Sequence, residues 1–267
     1  MKTNPSVLAK LMIFLPIVMI LNCNCEKEYG EKWPVNPPEN TDDGLDVGLL
    51  KQVDMNPDLI SEAIGRIHQG KYGEVHSMLI FKDNKLVVEE YFEGHRYQWD
   101  APGHHGEWVS WDRSTLHGVK SVSKSITSLC IGIAIENGFI ESVHQSVFDY
   151  LPDHQYLNVN EKGKISIEHL LTMTSGLEWD EWSAPLSSAA NDMVGIWYQE
   201  KDPISFILGK PLVHRPGTSF TYSGGNTAIL GEILKIATLM ELDDFSETYL
   251  FKPLKICLLY TSPSPRD

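Results

Sequence analysis

Ser121 and Lys124 stand three residues apart in Ser121-Val122-Ser123-Lys124. The apolar residues beyond them, Ile126, Leu129, Cys130, Ile133 and Ala134, recur at helical spacing as far as the stop at Gly138. Residues three apart on a helix share a face one turn from each other, so the hydroxyl and the amine can touch. A serine hydroxyl is a poor nucleophile until a base takes its proton, and a lysine serves as that base when desolvation and neighbours lower its pKa. The start of the helix adds partial positive charge and N–H groups where an acyl oxyanion would develop. As a bare pattern the signal is weak, because ordinary Ser and Lys usage produces about one Ser-x-x-Lys in a chain this long. Ser123 and Ser125 flank the motif, but neither has a lysine three residues on.

Tyr222 lies in Tyr222-Ser223-Gly224-Gly225-Asn226, after Arg215-Pro216-Gly217-Thr218-Ser219-Phe220 and ahead of a helix expected from Thr227. A phenol there could relay a proton with Lys124, but for a lone tyrosine the plainer explanation is a partly buried ring with a satisfied hydroxyl. Glu178-Trp179-Asp180-Glu181-Trp182 interleaves acids with indoles, a composition that could receive a cationic group through ionic and cation–π contact. The plainer explanation is an exposed acidic loop with a tryptophan as packing anchor. Ten histidines raise the question of a metal, and His104-His105 with His95 and His117 is the densest group. No His-Glu-x-x-His or similar spacing accompanies them, so neither metal nor cofactor is expected.

The elements that position these residues emerge once both ends are trimmed. Lys2 and Lys10 precede the apolar run Leu11 to Leu21. Such a run rises only about 16 Å as a helix, too short for a bilayer core of about 30 Å, and reads as a signal sequence over residues 1–22. Ile20-Leu21-Asn22-Cys23 resembles a loose bacterial lipobox, so the expectation is an exported, cell-envelope protein touching membrane only through a lipid on Cys23, with an ordinary cleaved signal as the alternative. Residues 257–267, from Cys257 to Asp267, back-translate into the adapter of transposase-based sequencing libraries and are read as a technical tail, with the natural sequence broken off near Ile256.

Residues 23–50 are rich in Pro, Asn, Asp and Glu without helical or strand period and read as a tether. Asn56-Pro57 then opens a helix carrying Ile60, Ala63, Ile64 and Ile67 up to Gly70. Two strand-like runs, His76 to Phe81 and Lys85 to Phe92, flank Lys82-Asp83-Asn84 as a β-hairpin. Residues 93–118 read as irregular. Beyond them the chain reads as loops joining helices over 121–137, 166–173, 187–198, 202–208, 227–238 and 243–249. This is an α+β design whose two strands are too few to be stable alone, so further strands are expected past the break.

With 22 Lys+Arg against 36 Asp+Glu, the chain carries a net charge of −14, which offers no footprint for phosphate backbones and excludes nucleic acid as an expected partner. Of the four cysteines, only Cys130 lies in the body of the fold, so no disulfide framework exists and core burial must hold the structure.

Taken in order, the motifs resemble the serine β-lactamase and penicillin-binding-protein superfamily, in its class C-like branch of esterases, amide hydrolases and peptidases. The resemblance is carried by the hairpin Met78 to Phe92, Ser121 to Ser128, His169-Leu-Leu-Thr-Met-Thr-Ser-Gly176, Pro216-Gly-Thr218, Tyr222-Ser-Gly224 and Leu250-Phe-Lys-Pro-Leu254. It implies an α/β sandwich with an all-α insertion, a β-lactamase/transpeptidase-like fold here lacking its C-terminal sheet strands. It divides the chain into residues 51–120, the N-terminal part of the α/β domain, and 121–256, a helical domain with the catalytic motifs and the cleft between them. It also implies acyl transfer to Ser121, with Lys124 as base, Tyr222 as proton relay and the Ser121 amide as one oxyanion donor. The strand bearing Lys-Thr-Gly or His-x-Gly is not present in this sequence. Class C β-lactamases carry Asn where Gly224 stands, which favours an ester or simple amide substrate over a lactam unless Asn226 substitutes. Trp179 and Asp180 border the cleft by the same resemblance, and Gly224, Asn226, Trp179 and Asp180 form the expected substrate-binding set. A small-molecule ester, amide or peptide-like substrate is the implied partner. The rival reading is a non-catalytic penicillin-binding-like sensor that is acylated without turning over.

Overall fold

A computed structural model describes residues 32–98, 101–199 and 201–256. Cys23, the apolar run and the 257–267 tail lie outside them. The chain divides into two compact units, one built from residues up to 40 together with 45–93, the other from 41–44 and 94 onward. That boundary falls well before residue 120, where the motif-based division places it.

In the first unit Asn56 caps α1 (Pro57–His68) by accepting from the Asp58 amide, with Pro57 preset for the first turn. β2 (Ser77–Lys82) and β3 (Lys85–Tyr91) form the expected antiparallel hairpin, closed by Asp83 and Asn84 at φ 50° and 57°, the left-handed pair that a two-residue turn of matching twist requires. The segment read as a tether is instead docked where it is described. Asp46–Val47 is a short strand, β1, parallel to β3, in the sheet order β1-β3-β2. The Trp33 indole stacks on His68 at 3.8 Å between centroids, and its backbone carbonyl accepts from the Ser61 hydroxyl at 2.8 Å. Gly65 makes room, since a Cβ there would lie 2.7 Å from the indole. Trp33, Val35, Val47 and Leu50 follow no period, which is why no periodic signal marks this segment, yet Leu50 and Val35 join the core of Val53, Val87 and Val88.

The second unit contains a two-stranded sheet where irregular chain was expected: β4 (Glu93–Tyr97) and β5 (His105–Ser110). Their sequences lack apolar alternation. The cross-strand contact is instead a stack of His95 on His105 at 4.3 Å with Trp108 edge-on to His95 at 4.8 Å, polar rings that leave no hydrophobic pattern.

The rest is helical: α2 (Val122–Glu136), α3 (Ile167–Leu171), α4 (Asp192–Val194), α5 (Pro203–Gly209), α6 (Gly224–Thr238) and α7 (Leu242–Ser246). The helix expected over 187–198 is one α-turn followed by a π-turn, Gly195–Gln199. α6 starts three residues before Thr227, because the Ser223 hydroxyl caps it by accepting from the Asn226 amide. α2 and α6 pack together around Cys130, Ile131 and Ala134 on one helix and Ile229, Leu230, Ile233 and Leu234 on the other, all at most 3% exposed. Ile167 and Leu170 of α3, Ile207 and Leu208 of α5 and Phe245 of α7 complete this core. Among the described residues no helix is long and apolar enough to cross a membrane.

Candidate active site

The two long helices of the second unit begin at the same place. Ser121 is the N-cap of α2, and Tyr222 lies two residues before α6. The Tyr222 phenol donates to Ser121 Oγ at 2.8 Å, and Lys124 Nζ, one helical turn along, lies 3.3 Å from the same oxygen. Lys124 Nζ also sits 5.0 Å from the centroid of the Tyr222 ring. Amine and phenol thus converge on one exposed hydroxyl oxygen, the arrangement in which a base can take a serine proton while a second group holds or returns it.

Tyr222 reaches that position because three hydrogen bonds pin its loop. The Thr221 amide donates to the Met173 carbonyl at 2.8 Å, the Ser223 hydroxyl caps α6, and the Gly224 amide donates to Glu181 Oε2 at 2.8 Å. Residues 173–178 run beside 211–221, with the Gly217 amide on the Thr174 carbonyl and both Val213 and His214 amides on the Gly176 carbonyl. Gly176 is obligatory there: at φ 80°, a Cβ would lie 2.1 Å from the His214 carbonyl oxygen. At α3 the cap is reciprocal, Ser166 Oγ accepting from the His169 amide while the Ser166 amide donates to His169 Nδ1. On the other side Lys120, in a left-handed conformation at φ 47°, places its ammonium over the Tyr97 ring of β4, and burial lowers its pKa.

A family model described as Beta-lactamase matches residues 74–265. The chain belongs to this Beta-lactamase family. Its members are serine hydrolases, and the mixed α+β fold of this chain is of the β-lactamase/transpeptidase type. The match extends into residues 257–265, which the sequence reading assigns to an adapter-derived tail. Protein flp of Staphylococcus aureus (strain MW2) is 28% identical over 181 residues, covering 67% of this chain and 33% of flp. The crystal structure of FmtA from Staphylococcus aureus superposes with a TM-score of 0.53 at 18% identity, covering 84% of this chain and 52% of FmtA. EstCE1, described as a hydrolase with promiscuous acyltransferase activity, gives a TM-score of 0.53 at 20% identity, covering 74% of this chain and 51% of EstCE1. The chain therefore spans about a third of flp and about half of these two structures.

Within this chain, the expected substrate-binding residues are placed differently from Ser121, Lys124 and Tyr222. Gly224 is buried and its amide is taken by Glu181, while a Cβ there would lie 2.2 Å from Met193 Sδ, so the position has no room for a side chain that could hold substrate. Asn226 is 1% exposed in the first turn of α6, its amide nitrogen near Met173 Sδ at 3.8 Å, and it does not present itself in place of the family's Asn. Trp179 is a core residue, edge-on to Phe206 and against Gly225, with its Nε1 donating to Glu181 Oε2 at 2.7 Å. Asp180 is exposed but occupied. One oxygen accepts from the Trp182 and Ser183 amides and the other from the Ser183 hydroxyl, and these bonds hold its pKa down to about 2.

The residues missed from sequence are those that organise the loop. Glu181 bridges Trp179 and Gly224, Asp192 accepts from the Asp180 amide and from Lys210 Nζ, and Asn191 Nδ2 donates to the Glu181 and Ala184 carbonyls. Acid-aromatic alternation flagged the segment but could not say which carboxylates would face inward.

Proposed function

We propose that the protein is a serine hydrolase that cleaves an ester or simple amide through an acyl-enzyme on Ser121. The observation that supports this reading best is the convergence of Lys124 Nζ at 3.3 Å and Tyr222 Oη at 2.8 Å on Ser121 Oγ. In the forward step the Ser121 hydroxyl proton passes to Lys124 Nζ, acting as the base, as Oγ bonds to the substrate carbonyl carbon. The carbonyl π electrons move onto oxygen, where the Ser121 amide at the start of α2 is one donor to the oxyanion. Collapse breaks the bond to the leaving group, which takes a proton from Tyr222, and Lys124 reprotonates the phenol. Water then adds to the acyl carbon with the same groups acting in reverse, and acid is released.

Substrate scope is set at the helix start. With no side chain at Gly224 and Asn226 buried, α6 offers no side-chain amide to a lactam's acylamino group, which favours esters and simple amides. A fluorophosphonate probe is expected to label wild type and not Ser121→Ala, and chromogenic esters are expected to turn over repeatedly. Undiminished turnover in Ser121→Ala would overturn the proposal, and a single labelling event without turnover would mark the protein as an acylated sensor.

A further inference from the structure

We propose that the Trp182 indole is the specificity-determining surface of this site, a platform on which an aromatic ring adjacent to the scissile carbonyl stacks. The inference rests on the reading of Ser121 as nucleophile and adds the substrate class to it. Trp182 is 76% exposed, yet its ring lies 5.7 Å from that of Tyr222, whose hydroxyl touches Ser121 Oγ. A large apolar face is thus held open to solvent one ring away from the nucleophile. The neighbouring indole, Trp179, already does the packing, so the core has no need of Trp182.

The backbone on both sides of Trp182 is immobilised. Asp180 accepts from the amides of Trp182 at 3.0 Å and Ser183 at 2.9 Å, and Asp180 is itself paired with Asp192 through two backbone amides. Glu181 is fastened to the Gly224 amide at the start of α6, and Asn191 spans the Glu181 and Ala184 carbonyls. An exposed ring on a rigid backbone loses little conformational freedom when a ligand covers it, and a flat aromatic partner gains both buried area and ring–ring geometry. The ligand is aromatic in this account because what the loop presents beside Tyr222 is a flat, exposed indole face, to which a second ring is the matching partner.

The ring could belong to the acyl group or to the leaving group, and four esters separate these: methyl acetate, methyl phenylacetate, phenyl acetate and phenyl phenylacetate. Each variant's kcat/KM is compared with wild type for every ester, so intrinsic ester reactivity cancels. Trp182→Leu is expected to lower the preference for the ring-bearing partner about tenfold on one of the two sides, while Trp182→Phe retains most of it. An equal effect of Trp182→Leu on all four esters, or none, would overturn the platform. Binding of phenyl phenylacetate, which carries a ring on both sides of the ester, to Ser121→Ala and to Ser121→Ala/Trp182→Leu, measured by calorimetry, tests the platform without turnover. Affinity about tenfold weaker in the double variant supports it, and equal affinity refutes it even if Ser121 proves not to be the nucleophile.

Discussion

Ser121 Oγ owes its chemistry to what touches it, and each partner can be removed singly. Tyr222→Phe keeps the ring beside Lys124 and Trp182 but deletes the hydroxyl 2.8 Å from Oγ, so the packing stays while the proposed proton relay is removed. The expected outcome is a fall in kcat/KM of about 10²–10⁴-fold with little change in Tm, read by ester hydrolysis and thermal melting side by side. Cys130 is a second case in which surroundings decide behaviour. Fully buried in α2 against the core, its thiol is pushed up to about 11 by desolvation, from an ordinary value of 9.0. Folding therefore favours the neutral thiol: its contribution is intact below pH 9 and is lost as pH rises from 9 towards 11, where the unfolded chain is already thiolate and the folded one is not. That window is worth about 2–3 kcal/mol, and Cys130→Ala is expected to flatten the fall in denaturant stability across it. A thiol reagent at pH 8 should modify Cys130 only at the rate of unfolding.

At the scale of elements, the start of α6 is the critical junction, because a single helix end carries Tyr222 and receives the loop that holds Trp182. Gly224→Ala puts a Cβ at 2.2 Å from Met193 Sδ and 3.0 Å from Glu181 Oε2, forcing both to move. It is expected to cost about 1–3 kcal/mol in stability and to loosen Tyr222, and Gly224→Ala/Met193→Ala should recover part of the Tm by vacating the space. Full stability in Gly224→Ala would contradict this packing. The helices α1, α2 and α6 were legible from their apolar period, with Asn56-Pro57 opening α1 and Gly138 stopping α2, but the true start of α6 was not, because the Ser223 cap emerges only in the fold. The strands β4 and β5 were not, because stacked histidines and a tryptophan hold them together and leave no alternating apolar trace. β1 was hidden for another reason: a two-residue strand is too short to show any period, and its partner β3 lies nearly forty residues along.

Across the whole molecule, Ser121, Lys124 and Tyr222 all belong to the second unit, and its core sets the distance between the two helix starts. Ile131 in α2 and Ile233 in α6 are both fully buried in that core, well along their helices from the site. Ile131→Ala and Ile233→Ala are each expected to cost about 2–5 kcal/mol and to lower acylation of Ser121 by a probe more than a surface change of equal distance does. Sequence alone determined the chemistry that is possible: Ser121 and Lys124 share a helical turn by covalent spacing, and the co-linear motifs point to the Beta-lactamase family, because local geometry and motif order are properties of the chain itself. Only tertiary structure decided which residues do what around them. Tyr222 meets Ser121 across a hundred residues because α2 and α6 share a core. Trp179 turns inward while Trp182 turns out, and Gly224 and Asn226 are closed off, because side-chain burial depends on neighbours that no spacing rule supplies.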